Sequence, residues 1–317
     1  MIRTAFVLGA GLGTRLRPLT DLLPKPLIPI FHKPLITFAF DHLMAQGFDQ
    51  FIVNTHHLAA CYDEEFPDYR YGKQEIVFRH EPHRLETGGG IKNIEDLVHG
   101  EPLLVYNGDI LSDLPVEKAL ADHERSGRLV TMVLRSSGGP LQVNFDPSSS
   151  AITDLAGRLG LAEGLGTDPA APRYLFTGIY ILEAEIFAHI PPNQQISIIP
   201  ILCDLIRDQP GSIGGIVLDE GNWWDLGTPA QYLDVHRYFY DQYLDAENPA
   251  KLDWPMPIQA SARIVDVALE GLVSIGKNVE IARGSSLKDV VVWPGTKFPS
   301  PVHYANGILA PTGFLPA

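Results

Sequence analysis

The sequence predicts an α/β protein: a doubly wound, mostly parallel sheet followed by a short left-handed β-helix. Short apolar runs at 5–8, 51–53, 76–78 and 102–109 alternate with stretches of helical periodicity. That is the pattern of parallel strands joined by right-handed crossovers that cover both faces of a sheet. Glycines follow the first of these runs, Glu81 lies beyond the third and Asp109 ends the fourth, at the carboxyl ends where such sheets keep their ligands. Further on, Leu269, Ile275, Ile281, Leu287 and Trp293 recur every six residues. The spacing fits neither a helix nor a single strand, and it is that of a hexapeptide coil. The expected organisation is a sheet domain over 1–244, a linker over 245–257 with three prolines, and a repeat cap over 258–317.

Composition narrows the function classes. The 317 residues, 45% of them apolar, suffice for one large core and a smaller second unit. A formal net charge of −14 argues against a nucleic-acid polymer as partner, so any anion must be held by local basic residues. Cys61 and Cys203 lie far apart without zinc-site spacing and are expected as buried thiols. The first apolar run is broken by glycines and followed by Arg15 and Arg17, unlike a signal peptide, and no apolar run spans a bilayer. A cytoplasmic protein without a membrane partner is the expectation.

The strand at 5–8 leads into Leu8-Gly9-Ala10-Gly11-Leu12-Gly13-Thr14-Arg15-Leu16-Arg17-Pro18-Leu19-Thr20 and then Pro24-Lys25-Pro26. Glycines let the backbone turn tightly and approach a ligand, and exposed N–H groups in such a turn hold anions. Arg15 and Lys25 add fixed positive charge, suited to a phosphate whose charge moves during reaction. Three other phosphate loops fit poorly or not at all. The Gly-Lys pairs 72–73 and 276–277 are followed by Gln74 and Asn278 where a Walker loop needs Ser or Thr. A dinucleotide fingerprint would need a glycine at Thr14 and an acid near Ile28-Pro29-Ile30-Phe31. The downstream signatures of a kinase are missing.

A helix over 34–46, apolar at Leu35, Phe38, Ala39, Leu43 and Met44, ends at Gly47 and precedes the strand 51–53. His56 and His57 beyond it point different ways and suit a surface or structural role. After the strand 76–78 come Glu81 and Leu85-Glu86-Thr87-Gly88-Gly89-Gly90-Ile91, read as a second glycine turn opening a helix through Leu97. The run 102–109 then ends in Asn107-Gly108-Asp109, which makes Asp109 a metal-ligand candidate. Residues 136–172 read as a lid or substrate-side insertion, with strand-like pieces at 141–145 and around Ile152. A strand over 174–182, a helix over 200–208 and a strand over 213–218 lead to Asn222-Trp223-Trp224-Asp225-Leu226-Gly227-Thr228-Pro229 and a closing helix to 243. Five hexapeptides make fewer than two coils, a packing or homo-oligomerisation cap. An acyltransferase would need more coils and a catalytic histidine, and His303 falls outside the counted repeat.

The run Gly11-x-Gly13-Thr14-Arg15-Leu16-x-Pro18-Leu19-Thr20 with Pro24-Lys25-Pro26 resembles the signature of the sugar-1-phosphate nucleotidylyltransferases, and the similarity covers about 2–240. The resemblance implies a Rossmann-like doubly wound mixed sheet, with a nucleoside triphosphate and a sugar 1-phosphate as substrates and Mg2+ as cofactor. It assigns the triphosphate to Gly9, Gly11, Gly13 and Thr14, and the transferring phosphate to Arg15 and Lys25. Glu81 and Gly88 then serve base and ribose, Asn107, Thr177 and Gly178 the sugar pocket, and Asp109 and Asp225 the metal. One departure stands out. Many members carry a Glu-Lys-Pro triplet before the sugar-pocket strand, yet no lysine occurs between Lys118 and Lys251, leaving Arg158 or Arg173 as substitutes. The segments 85–91 and 176–179 look closest to the N-acetylmuramic acid 1-phosphate uridylyltransferases of cell-wall recycling. Mannose-1-phosphate guanylyltransferases, some with such a tail, are the alternative. A non-catalytic regulatory subunit of the same fold is a third reading, opposed by the joint presence of Arg15, Lys25, Asp109 and Asp225.

Overall fold

The computed structural model describes residues 2–159, 172–245 and 256–317. Most of the expected linker, 246–255, and part of the expected insertion, 160–171, lie outside the described residues. The chain divides into two compact units, Met1–Gly11 with Ile36–Trp223, and Leu12–Leu35 with Trp224–Ala317. Residues 12–35 and the helix Pro229–Asp245 group with the repeat, and the buried Tyr232 joins all three, donating to the Pro29 carbonyl and accepting from Trp293.

The first unit is built on a ten-stranded mixed sheet. At its centre Leu103–Asn107, Thr4–Leu8, Gln50–Thr55 and Gln74–His80 run parallel and side by side. These hold the apolar runs of the sequence; the first three are buried along most of their length, as their composition requires, whereas Gln74–His80 is partly exposed. Leu8 lies level with Asn107 on one side and Asn54 on the other, so three carboxyl ends open at one edge. Arg173–Leu182 breaks the parallel order, pairing antiparallel with both Leu103–Asn107 and Val130–Arg135. Beyond it Ile213–Val217 runs parallel to Val130–Arg135, and Ala151–Leu155 and Val143–Asp146 complete that edge. Phe6, Ile52, Val105, Met132, Tyr180 and Leu202 belong to one continuous core. The triple glycine departs from the expected turn. Gly88, Gly89 and Gly90 lie within a helix, Glu86–Lys92, packed against the segment 194–198.

The second unit begins with three short turns, Thr14–Leu16, Leu19–Asp21 and Lys25–Leu27, and a hairpin pairing Pro29–Ile30 with Lys33–Pro34. Its repeat carries two parallel ladders. Ala268–Ile275, Ser286–Val292 and His303–Ala310 form one, and Arg263–Ile264, Glu280–Ile281 and Lys297–Phe298 the other. Successive rungs pair Ala268 with Ser286 and Ser286 with His303, spacings of 18 and 17 residues that correspond to about three hexapeptides. Each ladder therefore has three rungs, more than the sequence count allowed, and His303 opens the last of them. Ile275, Ile281, Leu287 and Trp293 are buried as their period demands, whereas Leu269 is 38% exposed. It sits on the terminal rung of its ladder as described, at the edge of that sheet. Gly313–Pro316 pairs antiparallel at the far edge.

Candidate active site

Gly9 follows the first strand, and its N–H donates to Asn54 Oδ1 at 2.7 Å while Tyr62 Oη donates to its carbonyl at 3.0 Å. Asn54 Nδ2 donates in turn to Glu81 Oε1 at 2.7 Å, and Glu81 Oε2 accepts the N–H of Leu85 at 3.0 Å. Glu81 is fully buried. A buried carboxylate costs several kcal/mol unless its lone pairs are filled, and here the chain's own donors fill them. The sequence reading gave Glu81 to the ligand. Its side chain ties the end of the first strand to the start of the helix Glu86–Lys92 through Asn54. Asn54 escaped the sequence reading, though a polar residue closing the apolar run 51–53 was its signal.

The three glycines of the first loop have different neighbours. A Cβ at Gly9 would lie 2.5 Å from the Asn54 carbonyl, and one at Gly13 would lie 2.7 Å from Thr20 Cγ2. Gly13 also has φ 59, a left-handed conformation that a side chain strains. Only at Gly11 is the space around a Cβ open, and Gly11 and Thr14 are both exposed. Open space thus falls to Gly11, and close approach to the chain itself to Gly9 and Gly13. The same holds for Gly88, whose N–H donates to the Ile196 carbonyl at 2.8 Å and whose Cβ would lie 2.9 Å from that oxygen.

Asn107, Thr177 and Gly178 come together on neighbouring strands. The strand Arg173–Leu182 shifts register between Phe176 and Tyr180, a bulge that re-aims its backbone. Thr177 Oγ1 donates to the Val133 carbonyl at 2.8 Å and accepts the Ile179 N–H at 3.2 Å. Gly178, at φ 82, leaves room for the Asn107 amide, which lies 2.5 Å from where its Cβ would stand. Trp223 Nε1 donates to the Thr177 carbonyl at 2.8 Å, so one of the two motif tryptophans braces this bulge. Beside it the N–H of Gly108 donates to the Leu8 carbonyl at 3.1 Å, which sets the half-buried Asp109 just beyond the strand ends. Arg173 stands five residues before Gly178, about 16 Å along the strand. Arg173 and Arg158 are both exposed, and neither is brought to this group.

In the second unit Arg15, Lys25 and Asp225 converge. Asp225 Oδ2 lies 3.5 Å from Arg15 Nη2, and its Oδ1 lies 3.6 Å from Lys25 Nζ. The Lys25 side chain is only 5% exposed and that of Arg15 63%, so one cation is fixed in the protein and the other reaches solvent. The guanidinium of Arg15 lies over Gly227, 2.6 Å from where a Cβ there would stand. Gly227 in turn donates its N–H to Gln231 Oε1 at 3.0 Å, and Thr228 Oγ1 accepts the Gln231 N–H at 3.3 Å. Thr228 therefore caps the helix Pro229–Asp245 with proline in its first turn, which explains the Gly-Thr-Pro sequence. The motif 222–229 thus supplies a carboxylate between two cations and a flat seat for one of them.

The chemistry this offers is anion binding and charge stabilisation. The tyrosines by these strand ends, Tyr62 and Tyr106, have hydroxyl pKa values pushed upward by complete burial and stay neutral. Burial likewise pushes the His42 imidazole down, and its Nε2 binds the Leu114 carbonyl at 2.8 Å. Among the described residues no group of three or more His, Cys, Asp or Glu side chains gathers as a metal cage. Two half-exposed carboxylates, Asp109 and Asp225, are the donor type magnesium takes when substrate phosphates and water complete its shell. No helix among the described residues is long and apolar enough to cross a membrane.

Comparison with known proteins agrees with this chemistry. Residues 4–242 match the family model described as nucleotidyl transferase. The chain is 29% identical over 301 residues to the mannose-1-phosphate guanylyltransferase of Mycobacterium tuberculosis, covering 92% of this chain and 80% of that one. It is 31% identical over 225 residues to the N-acetylmuramate alpha-1-phosphate uridylyltransferase of Neisseria meningitidis, covering 71% and 93% respectively. A UTP–glucose-1-phosphate uridylyltransferase of Synechocystis is 31% identical over 246 residues, 74% of this chain and 62% of that one. Among solved structures, a UDP-glucose pyrophosphorylase from Acinetobacter superposes with a TM-score of 0.64 at 17% identity over 79% of this chain and 97% of the other. HddC from Yersinia pseudotuberculosis gives 0.61 at 21% identity over 75% and 100%, and at such identities the likeness is one of fold. The chain belongs to the nucleotidyl transferase family, and its relatives are sugar-1-phosphate nucleotidyltransferase enzymes.

Proposed function

We propose that this enzyme transfers a nucleotidyl group from a nucleoside triphosphate to a sugar 1-phosphate. An oxygen of the sugar phosphate attacks the α-phosphorus, the bond from that phosphorus to the α,β-bridging oxygen breaks, and pyrophosphate leaves. The observation that carries this reading is the convergence of Arg15 and Lys25 on Asp225. Two cations held ready around one carboxylate can pass to phosphate oxygens without building a new site, which is the economy of preorganised charge stabilisation. Lys25, nearly buried, keeps its ammonium in place, and Arg15, largely exposed, follows the triphosphate. A phosphate monoester is already ionised near neutral pH, so no general base is required. Asn107 and Gly178 would align the sugar against the strand ends. Magnesium, when bound, neutralises the developing charge on the leaving pyrophosphate, and Asp109 and Asp225 offer it oxygen ligands.

Two substrate pairs stand out. The Leu85-Glu86-Thr87-Gly88-Gly89-Gly90-Ile91 segment supports UTP with N-acetylmuramate 1-phosphate. The guanylyltransferase relative, whose similarity extends over 92% of the chain and so into the repeat, supports GTP with mannose 1-phosphate. The 17- and 18-residue rungs support reading that repeat as a left-handed β-helix. The test is pyrophosphate release with magnesium over a matrix of UTP, GTP, dTTP, CTP and ATP against N-acetylmuramate, mannose and glucose 1-phosphates. Turnover with one pair, lost in Lys25→Ala, supports the reading. Tight nucleotide binding without turnover in any combination would turn it to a regulatory subunit.

A further inference from the structure

We propose that the C-terminal repeat is a positioning element for the segment that carries Arg15 and Lys25, acting through Trp293, Tyr232 and His236 on the hairpin behind Lys25. The proposal rests on the nucleotidyl-transfer reading for the task it assigns to that segment.

The hairpin turns at Phe31 and His32, which have φ 47 and 69. Bulky side chains adopt that region rarely, and such a turn persists only where its surroundings over-determine it. Here they do. The Phe31 N–H donates to His236 Nε2 at 3.1 Å, and His236 Nδ1 lies 2.9 Å from the Tyr232 carbonyl, an arrangement that requires the neutral ring with its proton on Nδ1. The Phe31 ring packs 5.9 Å from that imidazole and 6.4 Å from the Tyr240 ring. His32 Nε2 lies 2.9 Å from the Pro257 carbonyl and 3.3 Å from Ser274 Oγ, and Ser274 belongs to the first rung of the repeat. At the mouth of the hairpin, Tyr232 Oη donates to the Pro29 carbonyl and accepts from Trp293 Nε1 at 3.0 Å.

Trp293, Tyr232 and His236 are at most 3% exposed. Apolar rings would fill the same volume without polar atoms to satisfy, so packing alone does not require this chain of bonds. A fully satisfied buried polar network fixes one geometry, and the geometry it fixes here is that of the hairpin. The link back to Lys25 is short and stiff. Pro24, Pro26 and Pro29 restrict the backbone, the Leu27 N–H donates to the Pro24 carbonyl at 2.8 Å, and the Ile28 N–H donates to the Lys25 carbonyl at 3.2 Å. Across the loop, Lys25 Cβ lies 3.0 Å from where a Cβ of Gly13 would stand. A displacement of Pro29 therefore reaches Lys25 undamped.

The experiment uses the full chain with Tyr232→Phe, Trp293→Phe and their double, and Leu309→Val as a control for general loosening of the repeat. Leu309 is fully buried in the core of the repeat, and its link to Trp293 is through its backbone carbonyl, which Leu309→Val keeps. For each variant kcat and KM are measured on the productive substrate pair, and amide hydrogen exchange is followed over 27–35. The expected result is a fall in kcat of about 10- to 100-fold in both single variants, the scale of an ångström-level misplacement. The double variant should lose no more than the worse single, KM for either substrate should stay within about twofold, and exchange should quicken over 27–35. Leu309→Val should keep the parent's kcat. Parent-like kcat and exchange in both single variants would overturn the proposal, as would an equal loss in Leu309→Val. If the parent turns over no pair, the nucleotidyl-transfer reading falls, and the exchange profile alone decides whether the repeat holds the hairpin.

Discussion

Gly227→Ala separates the two things that the Arg15 seat could do. The new methyl carbon would lie 2.6 Å from Arg15 Cζ, Nη1 and Nη2, about 1 Å inside a comfortable contact. Gly227 lacks the left-handed φ that would strain an alanine, and the nearest conflict is with the guanidinium. That side chain is 63% exposed and its ion pair with Asp225 spans 3.5 Å, so it can swing into water at little cost to the fold. Exposed pairs contribute about 0–1 kcal/mol, and Tm should fall by no more than a few degrees. Activity should respond very differently. Moving a transition-state cation by about 1 Å costs on the order of 100-fold in turnover, so kcat should fall by about that factor. Pyrophosphate release under saturating substrates measures it, with thermal unfolding alongside. Arg15→Ala should lose at least as much, and the double variant no more than Arg15→Ala alone, because both remove one contact. A Gly227→Ala enzyme with the parent's kcat would refute the assignment of Arg15 to the transferring phosphate.

Other consequences test other links. Asn54→Ala removes the donor to buried Glu81 and the acceptor of Gly9 N–H, and should cost on the order of 3 kcal/mol in urea unfolding. Gly178→Ala adds a left-handed φ to a collision with the Asn107 amide, and should destabilise by at least about 2 kcal/mol while raising KM for the sugar phosphate. Burial holds the His236 pKa down at about 3 against an ordinary 6.5, so between those values the unfolded chain takes up a proton that the folded one refuses. Its contribution is therefore intact above pH 6.5 and lost as the pH falls toward 3, with a slope of about 1.4 kcal/mol per pH unit. His32, His42 and His123, also lowered by burial, steepen the parent's loss, and His236→Gln should be shallower by one proton's worth between pH 6 and 5 in urea titrations at about those values. Chelation should abolish turnover, restored by magnesium, yet leave Tm in place, since no metal cage gathers among the described residues. A Tm that drops on chelation would point to a structural ion instead.

Much of the architecture was legible from local chemistry. Runs such as Leu103 to Tyr106 can only be strands buried on both faces, and Thr228-Pro229 can only open a helix. Arg15, Lys25 and Asp225 were each visible as chemistry-bearing residues, although they lie up to 210 positions apart and nothing local tells that they meet. Other features stay hidden because the same residue type serves two ends. A glycine needed for a ligand and one needed for a neighbouring backbone look alike in a sequence, and only the fold shows that the Cβ sides of Gly9 and Gly88 face the chain itself. Nor does anything local tell that Glu81 is bonded to Asn54.

By itself, then, the sequence determined the kinds of elements, their order, the six-residue period of the tail and the charge available for holding phosphate. All of these follow from periodicity and side-chain chemistry within a few residues. Tertiary structure alone decided that residues 12–35 belong with the repeat and not with the sheet, that Asn54 joins Gly9 to Glu81, and that Trp293 reaches Pro29 through Tyr232. Those are pairings between groups distant along the chain. Many partners could satisfy each group locally, and only the packing of the whole core leaves one of them within hydrogen-bond reach.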